Sequence, residues 1–142
     1  MAIVVLDTDV ASRLHRRNVP PEIARVLVGA TIVTTFVTVA ELLQWPELRS
    51  WGEPRRRRLD AWLAGIPVLP YDAEVARSWA RLSARAQLRG RPRPINDTWV
   101  AACCWATKLP LVTLNRRDFE DFEQHEGLEL LPSLTSARAD KQ

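Results

Sequence analysis

The feature that most constrains this chain is a set of short runs that are apolar or β-branched throughout, Ala2 to Leu6, Thr31 to Thr34 and Leu111 to Thr113, separated by helical patterns. A strand with one wet face alternates apolar and polar residues, whereas a run without alternation is covered on both faces. Together with shorter runs at Pro67 to Leu69 and Glu129 to Leu131, these segments predict an α/β fold: a mostly parallel sheet of four or five strands inside a three-layer α/β/α domain. Crossovers between parallel strands are right-handed, and ligands of such folds gather at the carboxyl ends of the strands.

Helix signals fill the gaps. A first helix is expected from about Val10 to His15, and Pro20-Pro21-Glu22 opens a second by the preference for proline in the first turn. Phe36 to Leu48 follows with Thr35 or Thr38 as its cap, then Glu53 to Gly65 with Leu59, Trp62, Leu63 and Ile66 on one side. Asp72 caps a long helix to about Arg89, whose core stripe is Val75, Trp79, Leu82 and Ala86. Gly90 to Pro94 breaks it, and Asn96 or Asp97 starts a largely apolar helix to Lys108. The chain is expected to form one domain over residues 1–132, with 133–142 a flexible C-terminal tail.

At 142 residues and 46% hydrophobic content there is enough apolar surface for a buried core. No apolar run approaches the roughly 18 residues of a membrane span, and Met1-Ala2-Ile3 lacks the layout of a signal peptide, so a cytoplasmic location is expected, with no membrane partner. The adjacent Cys103 and Cys104 read as small buried residues, not as a disulfide or zinc site, and neither His15 nor His125 has zinc-site spacing.

The topology turns scattered acids into a cluster. Asp7 ends the first strand. Glu41, in the apolar company of Val39-Ala40-Glu41-Leu42-Leu43, falls early in the helix that leaves the second. Asp97 opens the helix that runs back to the Leu111 strand, and Asp118 lies in the loop leaving that strand. All four are thereby sent to the carboxyl rim of the sheet. Each alone has a plainer reading: Asp7 as a helix cap, Asp97 as a first-turn acid, Asp118 as surface. Together, clustered anions bind protons unless a cation neutralises them, and an all-oxygen set suits Mg²⁺ or Mn²⁺. Such a site activates water against a phosphodiester.

Leu6-Asp7-Thr8-Asp9-Val10, Thr38-Val39-Ala40-Glu41-Leu42, Asn96-Asp97-Thr98-Trp99-Val100-Ala101-Ala102 and Leu111-Val-Thr-Leu-Asn-Arg-Arg-Asp-Phe119 resemble, in order and spacing, the motifs of PIN-domain ribonucleases. The resemblance is greatest to the VapC-like toxins of type II toxin–antitoxin systems and runs to about Pro132. It implies a Mg²⁺- or Mn²⁺-dependent endoribonuclease acting on RNA such as tRNA or rRNA, a homodimer, and a small cognate antitoxin. Asp7, Glu41 and Asp97 match the central metal-site acids, Asp118 the variable fourth, and Thr113 and Asn115 the polar residues beside it. The family commonly has Asn where this chain has Asp9, which either joins the metal shell or orients Asp7 and caps the next helix; the second role is the one expected.

RNA contact is expected from Arg77, Arg81, Arg85 and Arg89, which recur every four residues, with Arg91 and Arg93 extending the stripe toward Asp97; its alternative is a solvated helix face. Arg55 to Arg58 is the second, lesser candidate for RNA contact, read first as a solvated face beside Trp62. Trp62 and Trp79 read as core, and Trp45 and Trp51 as dimer, antitoxin or base-stacking contacts. A rival enzyme is a haloacid-dehalogenase-like phosphatase, since Asp7-Thr8-Asp9-Val10 also fits its nucleophile motif, but that chemistry needs a lysine that Lys108 and Lys141 are badly placed to supply. A third reading is a catalytically idle acidic pocket that holds a partner's arginine.

Overall fold

A computed structural model describes residues 2–134. Strand β1 (Ile3–Leu6) is followed by helices α1 (Thr8–His15) and α2 (Pro21–Leu27), β2 (Thr31–Thr35), α3 (Phe36–Arg49), α4 (Glu53–Ala64) and β3 (Val68–Leu69). Helices α5 (Ala73–Leu88) and α6 (Ile95–Thr107), β4 (Leu111–Val112), a 3₁₀ turn (Arg116–Asp118), α7 (Glu120–Glu126) and β5 (Leu130–Leu131) complete it.

The five strands form one all-parallel sheet in the order β3-β2-β1-β4-β5. Strand β1 is central, pairing Ile3 with Thr31 on one side and Val5 with Leu111 on the other. Alternate side chains feed two cores. Val4 and Leu6 pack with Val10, Ile23, Leu42 and Leu59 from α1 to α4, while Val5 packs with residues of α5, α6 and α7. The unalternating sequence of β1 therefore reflects a strand covered on both faces, as expected. Because successive strands extend the sheet first one way from β1 and then the other, the order reverses between β1 and β4. A crevice opens there at the carboxyl ends.

Several boundaries move. The first helix begins at Thr8 instead of Val10, because Asp7 itself is the N-cap. Thr35 caps α3 by accepting from the Thr38 N–H at 3.2 Å. Helix α6 starts at Ile95 after Pro94, ahead of both expected residues: Pro94 has no N–H to satisfy and its φ of −54° suits a helix entry. The loop expected after β4 is instead a 3₁₀ turn and α7, a short helix that buries Phe119 and Phe122. The proposed tail lies outside the described residues from residue 135 onward.

Candidate active site

The crevice between β1 and β4 is where Asp7 sits. Its N–H donates to the Val112 carbonyl at 3.0 Å, which pins the backbone at the switch point. One carboxylate oxygen accepts from the Thr8 N–H at 2.9 Å and the other from the Thr113 hydroxyl at 2.9 Å. Thr113 is held in turn by its N–H on the Leu131 carbonyl, and its hydroxyl accepts from the Asn115 N–H at 2.9 Å. Asp7 is only 8% exposed, and among the described residues no arginine or lysine pairs with it. Burial raises its proton affinity above the carboxylate norm. The Thr8 and Thr113 donors pull it back, and the charges of Asp9 and Asp118 raise it again.

Asp9 does not perform the expected orienting and capping. Asp7 caps α1, and the exposed Asp9 accepts a hydrogen bond from the Asn115 side chain. The physical reason is phase: β1 ends at Leu6 and α1 begins at Thr8, so Asp7 is the residue between them whose side chain meets a helix N–H. Thr8, to which the sequence reading assigned no role, is buried and shares a 3.0 Å hydrogen bond with the Thr38 hydroxyl; it also hydrogen-bonds Glu41. It thus ties α1 to α3 beneath the acids. Its signal was a small hydroxyl between two aspartates.

Glu41 is half-buried in the second turn of α3. Burial raises its proton affinity first, followed by the charge of Asp7. Asp97, in the first turn of α6, is pushed up to about 6, by burial first and then by the charges of Asp118, Asp7 and Glu41; Arg93 alone acts in the opposite direction. The four acids named from topology thus feel one another across the rim. Trp99 stacks on Trp79 with centroids 5.1 Å apart and meets the edges of Phe36 and Tyr71 at 6.0 and 5.7 Å. This cluster clamps the start of α6 against the start of α3, which sets the separation of Asp97 and Glu41.

The donor set can be tested against a divalent cation. All the candidate donors are carboxylate or hydroxyl oxygens, and the acids raise one another's proton affinity with, among the described residues, Arg93 as the one neighbouring counter-charge. Among the described residues no three His, Cys, Asp or Glu side chains stand close enough to enclose an ion by themselves. Mg²⁺ keeps several waters and takes only one or two carboxylates directly, so it does not require such a group. The residues present therefore fit a hard divalent cation.

The arginine stripe of α5 is placed differently from expectation. Arg89 is committed to Asp121 and Glu126 of α7, both at 2.7 Å, a clamp of nearly buried acids. Arg85 lies 5.7 Å over the Trp105 ring. Arg81 lines a cleft with Trp105, Lys108 and Glu129, beside the starts of β4 and β5, so this part of the stripe faces the amino edge of the sheet. Arg77 pairs with Glu74, and Arg91 is exposed. Of these six arginines, Arg93 is the one that acts on the acids, through Asp97. The i, i+4 spacing was real, but it could not tell which end of the sheet the stripe would face. Cys103 and Cys104 are buried free thiols, as read, and Lys108 caps the far end of α6.

The PIN domain family profile matches residues 4–124. Ribonuclease VapC5 of Mycobacterium tuberculosis is 32% identical over 125 residues, covering 87% of each chain. The crystal structure of VapBC-5 from the same organism, a member of the VapBC family of toxin–antitoxin systems, superposes with a TM-score of 0.71 at 30% identity over 94% of this chain and 100% of that one. VapBC-1 from nontypeable Haemophilus influenzae shares the fold, with a TM-score of 0.75 at 22% identity over 90% and 96% of the two chains. These likenesses span the carboxylate rim and the sheet that builds it, and the phosphatase reading falls with them: the chain belongs to the PIN domain family, among its VapC ribonucleases.

Proposed function

We propose that this protein is a Mg²⁺- or Mn²⁺-dependent endoribonuclease, acting on structured RNA such as tRNA or rRNA, and that it is the toxin of a toxin–antitoxin pair. The observation that carries the reading is the convergence of Asp7, Glu41, Asp97 and Asp118, from four separate elements, on one rim where, among the described residues, Arg93 is the one cation acting on Asp97. In this reading Asp7 and Asp97 hold the metal, Glu41 and Asp118 complete the anionic rim, and Thr113, Asn115 and Thr8 fix the carboxylates in place. When bound, the cation supplies a Lewis acid and a water of lowered pKa. Asp7 presents its charge without rotating, because both its oxygens are already held by donors. Burial and the neighbouring acids push Asp97 up to about 6 without a cation, a crowding of charge that a bound cation would relieve. A cognate antitoxin and a homodimer complete the proposal, in keeping with the toxin–antitoxin complexes among the structural neighbours.

The test is incubation of total RNA with purified protein in Mg²⁺, Mn²⁺ or EDTA, beside Asp7→Asn. Discrete fragments that need the metal, and fall by at least about 100-fold in the variant, are expected. Intact RNA under every condition, or an active variant, would refute the assignment. An inactive wild-type protein that still binds an arginine-bearing partner at the rim would leave the idle binding pocket as the reading.

A further inference from the structure

Arg55, Arg57 and Arg58 are exposed, in keeping with the solvated face expected of this run, and Arg56 is half-buried. Arg56 turns inward, donating to the Trp51 and Pro46 carbonyls at 2.8 and 3.0 Å and to Glu47, and so closes the turn between α3 and α4. Arg57 reaches back to Glu53. Arg55 and Arg58 instead enter a cleft of about 570 Å³ bounded by α1, α3 and α4. Arg13, Arg16 and Arg49 enter it from the other two helices. Among the described residues none of these five arginines has a carboxylate within ion-pair distance. Five uncompensated cations gathered around one concavity repel each other and raise the local concentration of anions.

The cleft walls are aromatic. The Arg55 guanidinium carbon lies 3.6 Å from the centroid of the Trp51 ring and that of Arg49 lies 5.2 Å from the Trp45 ring, so two cations sit over indoles in the cleft wall. Arginine and aromatic side chains together offer charge for a phosphate and a surface on which a nucleobase can stack. The cleft also begins at the rim: Asp9, which lines it, is held by Asn115, and its charge acts on Asp7 and Glu41. An anionic chain leaving the carboxylates along α1 would run directly into these arginines. The volume lies in the range of compact ligand sites, which suits one or two nucleotide units.

We infer that the cleft between α1, α3 and α4 is a single-stranded RNA subsite, in which Arg49, Arg55 and Arg58 take the phosphates flanking the scissile bond and the Arg55–Trp51 and Arg49–Trp45 pairs take the adjoining bases. This rests on reading the rim as the RNA-cleaving site and names where its substrate is gripped. The residues act by binding and positioning, away from the carboxylates. An acidic protein segment would meet the same charge, but the continuity of the cleft with the carboxylate rim through Asp9 favours the substrate of that rim.

The test is binding of a short mixed-sequence single-stranded oligoribonucleotide in EDTA, so that it stays uncut, followed by tryptophan fluorescence across a salt series. The triple variant Arg49→Gln/Arg55→Gln/Arg58→Gln is expected to weaken binding by at least about tenfold and to flatten the slope of log K against log salt by about 2. Arg55→Lys, which keeps the charge and loses the plane, is expected to reduce the fluorescence response and weaken binding several-fold. The same charge removed from α5, in Arg77→Gln/Arg81→Gln/Arg85→Gln, serves as the control and should change binding by less than about threefold. Unchanged affinity and slope in the cleft variant, equal losses in the α5 variant, or polyglutamate bound more tightly than RNA by the same arginines would each overturn the proposal. Cleavage separates the two readings. A wild-type protein that binds RNA through the cleft but cuts none in Mg²⁺ or Mn²⁺ refutes the nuclease and leaves the subsite standing. One that cuts RNA equally well without the cleft arginines refutes the subsite alone.

Discussion

Asp7 and Asp97 each satisfy the plain reading and the functional one at once. Asp7 caps α1 with one oxygen, and Asp97 sits in the first turn of α6 where a helix dipole favours an acid. Neither role relieves the crowding of charge, which is why burial and neighbouring acids still push Asp97 up to about 6. The consequence for pH has a definite sign. A carboxyl whose folded value lies above its ordinary 3.8 contributes stability fully below about pH 4, and loses it as pH rises through about 6. Metal-free protein is therefore expected to melt at lower temperature at pH 8 than at pH 5 through this group, and Asp97→Asn to flatten that part of the dependence in thermal melts. Metal-dependent cleavage should run the other way, falling as pH drops and protons compete with the cation for the carboxylates. At this scale the acids were legible because each sits at a strand or helix end, which sequence marks well. Thr8 was missed, because its worth depends on meeting Thr38 and Glu41, partners that only packing supplies.

Among the elements, α7 was the least legible. Glu120 to Glu126 is acidic and short, with no cap signal, and its place is fixed by Phe119 and Phe122 entering the core and by Arg89 reaching across from α5. Asp121 and Glu126 are almost wholly buried, so losing Arg89 strands two carboxylates. Arg89→Met is expected to cost about 3 kcal/mol in denaturant unfolding, and adding Asp121→Asn and Glu126→Gln to recover most of it. A loss of RNA affinity in a still-folded Arg89→Met would instead restore the arginine to the substrate track. Helix α6 ends at Lys108 in the left-handed region, with φ 56°. Lys108→Gly relieves that conformation and should stabilise the fold by up to about 1 kcal/mol with unchanged cleavage.

Over the whole molecule, the sheet and the rim are one design: the strand order reverses between β1 and β4, and the acids are hung around that crevice from α1, α3, α6 and the turn before α7. A cation bound there holds only the folded state, so Mg²⁺ at about a hundred times its dissociation constant should add roughly 3 kcal/mol and raise the melting temperature by about 5–10 °C. Differential scanning fluorimetry with Mg²⁺ against EDTA measures this, and Asp7→Asn should melt higher than wild type without metal and respond little to it. The sequence by itself determined the layered parallel fold, because strands buried on both faces have no polar positions to hide, and it determined which acids reach the rim, because topology sends strand and helix ends there. Only the tertiary structure decided where the arginines act. A charge repeated every four residues defines a helix face but not what that face meets. Packing turned the α5 stripe toward Trp105 and α7, and gathered Arg13, Arg49, Arg55 and Arg58, distant in sequence, around a single cleft beside the acids.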